Sequence, residues 1–356
     1  MRVLVADAFP ESSLTEMAEL GHDCIHKPDT TTEQLSGELA GCDVLVVRST
    51  KVPASVLAEA DALRLVIRAG SGTNTIDCEA ASERGIHVCN VPGRNSVAVA
   101  ELAFGLLLAL DRNIADNVID LRAGHWDKKR YARARGIHGR RVGVIGLGQI
   151  GLEFAERAAA FGARVHAVAN TQRDQQTRDR AHAIGVHFVD SLETLARTCD
   201  VLSLHVPATE STRHLLNRDL LAHVQPGTII LNTSRGELVD EDALIEAMEA
   251  KDVRAGIDVC ADEPDTSTGS IDSPLAKHPN VYGTHHIGAS TEQAQHAVAA
   301  EVVRMIDAFD AGNVVHCVNL DTVLPTQQTQ PGSQPETQPE TQPTGFATPL
   351  RSGGGS

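Results

Sequence analysis

The hexapeptide Gly146-Leu147-Gly148-Gln149-Ile150-Gly151 constrains this chain more than any other segment. It follows a short apolar run, Val142-Gly143-Val144-Ile145, and opens a stretch whose apolar residues Ile150, Phe154, Ala158 and Phe161 recur at helical spacing. Glycines in that register meet three needs: a turn too tight for a side chain, close approach of backbone to a pyrophosphate, and contact between the helix and the strand it leaves. The unpaired amides of the helix N-terminus then face the phosphates. The segment predicts a strand, a turn and a helix that bind a dinucleotide.

The rest of the chain repeats the pattern. Val3-Leu4-Val5-Ala6, Asp43-Val44-Leu45-Val46-Val47 and Leu65-Val66-Ile67 are continuous apolar runs separated by helix-sized segments. Such runs read as strands of a parallel sheet covered on both faces, because a half-exposed strand would alternate polar and apolar residues. A second series begins at Arg141-Val142-Gly143-Val144-Ile145. It continues through Arg164-Val165-His166-Ala167-Val168, Val201-Leu202-Ser203-Leu204, Thr228-Ile229-Ile230-Leu231 and Ala255-Gly256-Ile257-Asp258-Val259. The fold class is α/β, with two Rossmann-like lobes of parallel sheet and a ligand site between them. A length of 356 residues agrees, since one core stops growing near ~250 residues. Residues 97–112 are apolar nearly all round and rich in helix formers, which suits a hinge or a subunit interface.

A net charge of −16 argues against nucleic-acid and anionic-membrane partners, both of which need basic surface, and leaves a small molecule as the expected partner. The seven cysteines include no Cys-x-x-Cys pair, so neither a zinc knuckle nor a redox dithiol is expected, and no metal site is assigned. The first residues enter a strand-like run with no basic region, apolar core or cleavage site ahead of it; a cytoplasmic location is expected. From Asp321 the composition turns to Gln, Pro, Thr, Glu and Gly, too poor in apolar surface to offset ordering entropy, so residues 321–356 are expected to be a disordered tail.

An NAD site of this type usually ends its next strand on a carboxylate that accepts the ribose hydroxyls. Here that strand ends Val168-Ala169-Asn170-Thr171-Gln172-Arg173, without a carboxylate in place. Its absence removes repulsion toward a 2′-phosphate, and Arg173 is placed to pair with one. The cofactor is NAD or NADP, with Asn170 and Arg173 at its ribose end.

From Arg48 to about Asn319 the chain resembles the D-isomer-specific 2-hydroxyacid dehydrogenase family, and within it the catalytic unit of the phosphoglycerate dehydrogenases. The resemblance rests on Val47-Arg48-Ser49-Thr50-Lys51-Val52, Arg68-Ala69-Gly70-Ser71-Gly72-Thr73-Asn74, Gly85-Ile86-His87-Val88-Cys89-Asn90-Val91-Pro92 and the glycine loop. It continues in Asn232-Thr233-Ser234-Arg235-Gly236, Asp258-Val259 with Glu263-Pro264, and His286-Ile287-Gly288-Ala289-Ser290-Thr291. It implies a flavodoxin-like substrate domain at 1–96 and 287–320, an inserted NAD(P)-binding domain at 97–286, and a homodimer through the helix near 97–112. It also implies hydride transfer at C2 of a small 2-hydroxy or 2-keto acid.

The resemblance makes Arg235, Glu263 and His286 the catalytic trio. An imidazole can take the hydroxyl proton as hydride leaves the carbon. A carboxylate beside it stabilises its protonated form and fixes its tautomer, and a guanidinium can clamp the substrate carboxylate through two hydrogen bonds. His285 adjoins His286 where the family usually has proline; the Ile-Gly-Ala-Ser-Thr context that follows favours His286. Gly146, Gly148, Gln149, Ile150 and Gly151, with Thr233 and Ser234, are assigned to the cofactor. Asp258 is placed toward the nicotinamide carboxamide, and His205, Val206 and Pro207 toward the adenosine.

Arg48 and Ser49 resemble the segment that meets the phosphate of 3-phosphoglycerate, while Gly70, Ser71, Asn74 and Asn95 are placed around the substrate carboxylate and hydroxyl. The run His125-Trp126-Asp127-Lys128-Lys129-Arg130 resembles a segment that reaches a neighbouring subunit's site. Oxidation of D-3-phosphoglycerate is the reaction implied. A glyoxylate or hydroxypyruvate reductase, and a nicotinamide-sensing corepressor of the same fold, stand beside it. No regulatory domain is expected beyond Asn319, and with it no feedback by serine. Residues 265–270 lengthen the connection between Glu263 and His286 relative to the family.

Overall fold

The computed structural model describes residues 1–264 and 268–323; the expected tail from Leu324 onward, and Asp265, Thr266 and Ser267 of the lengthened connection, lie outside the described residues. The first lobe runs β1 (Arg2–Val5), α1 (Glu11–Glu19), β2 (Asp23–His26), α2 (Thr32–Glu38), β3 (Val44–Val47), α3 (Ala54–Glu59), β4 (Leu65–Arg68), α4 (Cys78–Glu83) and β5 (His87–Asn90). The chain then crosses to the second lobe, which opens with α5 (Ser96–Arg112) and α6 (Ile114–Arg122). That lobe comprises β6 (Arg141–Ile145), α7 (Gln149–Ala160), β7 (Arg164–Val168), α8 (Gln175–Ile184), β8 (His187–Val189), α9 (Leu192–Thr198), β9 (Val201–Leu204), α10 (Arg218–Ala222), β10 (Ile229–Asn232), α11 (Glu241–Lys251), β11 (Arg254–Ile257) and β12 (Val281–Gly283). A final helix, α12 (Glu292–Asp310), returns to the first lobe.

Among the described residues the strands form two sheets, each parallel throughout. Their orders are β2-β1-β3-β4-β5 and β12-β11-β10-β9-β6-β7-β8. The first is the flavodoxin-like order and the second the dinucleotide-binding order with one strand added. The continuous apolar runs are explained by helices on both faces. In the first lobe Leu4, Leu45 and Val66 face α2 and α3, while Val3, Val5, Val44 and Ile67 face α1 and the returning α12, whose Val302 and Ile306 are fully buried. In the second, β6 and β7 cover α5 and α7 through Leu107, Leu110 and Phe154.

Within its own chain α5 is largely covered. Its apolar stripe is taken up by α7, β10 and β11 of its own chain. It ends at Asn113, whose left-handed φ of 51° turns the chain directly into α6. None of the residues of α6 is buried, and Ile114, Val118, Ile119 and Leu121 face outward. An all-round apolar helix has the same sequence signature whether its own chain or a partner covers it. Among the described residues no helix is long and apolar enough to cross a membrane.

In both sheets the strand order reverses once, between β1 and β3 and between β6 and β9. At such a point the loops leaving the carboxyl ends diverge and open a crevice. Asp7 and Arg48 leave the first crevice; Gly146 and His205 leave the second.

Candidate active site

The glycine loop is built as its spacing predicts. Gly146 leaves β6 with φ +98°, and a Cβ there would lie 2.3 Å from the His205 carbonyl oxygen. At Gly151 a Cβ would lie 1.9 Å from the carbonyl oxygen of Gly146, so the helix can approach the strand only without a side chain. Gly148, the N-cap of α7, is exposed, and its missing Cβ opens on free space. Open space over the amides of a helix N-terminus fits a dinucleotide pyrophosphate. Thr233 lies buried after β10, and its Oγ1 has no partner among the described residues. The Gln149 side chain reaches across to Gly93 in the first lobe, while Ile150 is half-buried on α7. His205 is half-buried beneath the loop, bonded through Nε2 to Ser203 Oγ at 2.8 Å, with its ring tilted against that of Phe154. Burial pushes its pKa down to about 3, so this imidazole is a neutral wall. Val206 touches Gly146, and the Pro207 carbonyl accepts the Thr212 hydroxyl. The Ser234 hydroxyl is spent on the Leu204 carbonyl at 2.8 Å.

At the end of β7, Asn170 Oδ1 accepts the Gln172 amide at 2.8 Å and makes a tight turn. Arg173 donates to the Val168 carbonyl at 2.7 Å and lies over the Phe188 ring, which fixes its guanidinium beside the strand end. The first carboxylate past the strand belongs to Asp174, and it caps α8 through the Thr177 amide and hydroxyl.

Beyond β11 and β12 of the same lobe, Glu263 Oε2 bonds His286 Nδ1 at 2.6 Å, and Glu263 Oε1 accepts the Cys260 amide at 3.0 Å. The carboxylate thus reaches His286 rather than His285. Burial acts against the charged Glu263, but the bond to His286 and that residue's charge outweigh it and hold the carboxyl below its usual range. His286 has φ +51°, a conformation that a non-glycine residue keeps only when its surroundings enforce it. Asp258 enforces it. Its carbonyl accepts the His286 amide at 2.8 Å, and its buried carboxylate accepts the Ile287 amide, the Gly288 amide and the Thr284 hydroxyl at 2.9, 2.8 and 2.6 Å. Arg235 follows β10 in a turn closed by Asn232, whose side chain bonds the Arg235 carbonyl and the Ser234 amide. The Arg235 guanidinium extends to Gly72 of the first lobe, so close that a Cβ there would lie 2.6 Å from Nη2.

A cavity of about 810 Å3 opens beside the Glu263–His286 pair, and its far wall comprises Arg48, Ser49, Gly70 and Asn95. Asn95 Oδ1 accepts the Ser71 hydroxyl at 3.3 Å, and Asn74 lies beside Gly72. Two residues escaped the sequence assignment. Asp7 gathers the amides of Arg48, Ser49 and Thr50 at 2.6, 3.1 and 3.2 Å, and so shapes the turn that aims Arg48. Arg68 lies over Gly70 in the same cavity, and its Nε has no partner among the described residues. Burial, then the charges of Arg235 and Arg48, lower it to about 10. Two guanidiniums, Arg48 and Arg68, share this cavity, and with the charge of Arg235 also acting on Arg68 they favour entry of an anion. Asp7 follows β1 and Arg68 ends β4, both at the carboxyl ends of parallel strands, the signal that could have found them. The segment from His125 to Arg130 is exposed and stands apart from this cavity, with Trp126 82% exposed and Asp127 accepting the Lys129 and Arg130 amides. The adenosine-end residues Asn170 and Arg173 also lie outside it.

A lobe of dinucleotide-binding topology that carries a glycine loop, an imidazole–carboxylate pair and an arginine beyond its strands has the arrangement found in nicotinamide-dependent oxidoreductases. Residues 104–288 match the model of the D-isomer specific 2-hydroxyacid dehydrogenase NAD binding domain, and the chain belongs to that family. It is 39% identical over 326 residues to a D-3-phosphoglycerate dehydrogenase of Methanocaldococcus jannaschii, covering 90% of this chain and 60% of the relative's length. Against a hydroxypyruvate reductase of Thermotoga maritima the identity is 44% over 266 residues, covering 74% of this chain and 83% of the relative. Among solved structures, an acyclic imino acid reductase in complex with NADPH and D-Arg superposes with a TM-score of 0.77 at 26% identity, over 89% of this chain and all of that one. The family is one of NAD-binding enzymes, and NADPH occurs among its structural neighbours.

Proposed function

We propose that the protein interconverts a D-2-hydroxy acid and its 2-keto acid, with D-3-phosphoglycerate as the substrate oxidised. The observation that carries this reading is the 2.6 Å Glu263–His286 bond, which opens onto a cavity walled by Arg48 and Arg68. With Nδ1 engaged by Glu263, Nε2 is the nitrogen left to take the proton of the C2 hydroxyl or return it to the ketone. Arg235 clamps the C1 carboxylate and turns C2 toward the glycine-loop side of the cleft. Arg48 and Arg68 grip a second anion at the far end, which supports a phosphorylated substrate over lactate or glyoxylate. Gly146, Gly148 and Gly151 would hold the pyrophosphate, and Thr233 and Asp258 would flank the nicotinamide. When bound, the nicotinamide supplies or takes up the hydride of C2.

Arg173 beside a strand end without a free carboxylate supports use of NADP as well as NAD. A reductase acting on hydroxypyruvate is the second reading, favoured by the identity to the Thermotoga protein. We infer further that the outward apolar face of α6 pairs with a second copy, making a homodimer.

An absorbance panel at 340 nm pairs 3-phosphoglycerate, glycerate, glyoxylate, hydroxypyruvate and lactate with each cofactor. The proposal expects the highest kcat/KM for 3-phosphoglycerate and turnover with both cofactors. A higher kcat/KM for hydroxypyruvate selects the second reading, and no turnover with any acid contradicts both.

A further inference from the structure

A pairing outside both parallel sheets joins Cys89 in β5 to Cys317, seven residues past the end of α12, through a single antiparallel bridge. The Asn90 amide donates to the His316 carbonyl at 3.2 Å and the Val318 amide to the Val88 carbonyl at 2.8 Å. Hydrogen bonds that flank a pair in this way make Cys89 and Cys317 directly opposed residues with no bond between their own backbones. In such a pair the Cα atoms lie ~4.5 Å apart and the side chains share one face. A disulfide needs a Cα separation of ~4.4–6.8 Å.

The two sulfurs differ in access. Cys89 is 1% exposed, whereas Cys317 is half-buried. Cys317 Sγ lies 3.8 Å from His87 Nδ1 and 3.2 Å from Asn319 Oδ1. Burial lowers the His87 pKa, so the ring is neutral near pH 7 and, with its proton on Nε2, can accept the thiol proton at Nδ1. Burial and the neighbouring sulfur raise Cys89, which keeps that thiol protonated until it is called on.

We propose that Cys317 is a hydroperoxide-oxidised site and that Cys89 resolves it to a reversible disulfide. The Cys317 sulfur attacks one peroxide oxygen: an S–O bond forms, the O–O bond breaks, and the thiol proton leaves with the alcohol or water released. Cys317, oxidised by two electrons, is then a sulfenic acid. The Cys89 sulfur displaces its oxygen, which departs as water with the Cys89 proton. Two thiols and one hydroperoxide thus give one disulfide, one water and one alcohol, or two waters from hydrogen peroxide. The bond fastens the segment after α12 to β5, the strand whose Asn90 side chain holds the Ser71 carbonyl at 2.6 Å.

The full chain, treated with hydrogen peroxide, alkylated and digested, is mapped by mass spectrometry. Of the seven free cysteines two should disappear into one Cys89–Cys317 cross-linked peptide. Closing so long a loop should raise Tm by several degrees, and dithiothreitol should reverse the rise. Cys89→Ala and Cys89→Ser should leave a sulfenic acid on Cys317 that a 1,3-diketone traps, whereas Cys317→Ser should leave Cys89 reduced. Cross-linking of Cys317 to Cys78, oxidation of Cys89 in the Cys317→Ser protein, or an unreacted Cys317 in wild type would each overturn the proposal.

Discussion

A histidine held at φ +51° loses its place when its support is removed, and Asp258 is that support. Asp258→Asn replaces one acceptor oxygen with a donor facing backbone amides, where each charge-assisted bond is worth ~1.5–3 kcal/mol. The kcat of this variant should fall at least tenfold with a smaller change in KM, as steady-state kinetics would read. Arg68→Met should instead raise KM for a phosphorylated acid and leave lactate-sized acids little affected; equal effects on both would remove Arg68 from the second anion site. At this scale the Glu263–His286 pair was legible because each residue stands in a recognisable run. Asp7 was not, because it acts through neighbours that only the sheet order supplies: it follows β1, its three amides follow β3, and the two strands adjoin. Arg68 stood in a recognisable run, but that it lines the cavity beside Arg48 follows only from the adjacency of β3 and β4.

The elements show why buried parallel strands read well from sequence and helix partners do not. Continuous runs such as Val44–Val47 have one stable environment, whereas the apolar surface of α5 suited a partner chain as well as α7 and β11. The returning α12 is the element on which the first lobe's core depends. Ile306, fully buried against β1 and β4, should cost ~2–5 kcal/mol when truncated to alanine, measured by denaturant unfolding. On the same helix Glu301 receives Arg304 and Arg94, and although burial opposes the charge, these partners hold its carboxyl near about 2 instead of 4.5. A depressed folded-state pKa gives stability that is whole above about 4.5 and is lost as pH falls toward about 2. Glu301→Gln should therefore flatten the acid limb of the Tm profile between those values; an unchanged slope would show that the ion pairs contribute nothing there.

In the whole molecule, two crossings between the lobes, before α5 and before α12, meet at the cleft, and His286 lies on the second. That return was implied by the resemblance and not by periodicity, since no local pattern tells a helix which sheet it will cover. The exposed apolar face of α6 acts at this scale as well. Ile119→Glu should shift sedimentation from dimer to monomer if that face pairs two copies, and should change nothing if it does not. The central claim is that one imidazole, steadied by Glu263, moves the proton at C2. The most direct measurement compares the kcat of His286→Asn and His285→Asn with wild type, with cofactor affinity followed by fluorescence. The account predicts a loss of ~10²–10⁴-fold for His286→Asn at unchanged cofactor affinity, and near-normal turnover for His285→Asn. Retained turnover in His286→Asn, or its loss in His285→Asn alone, would contradict it.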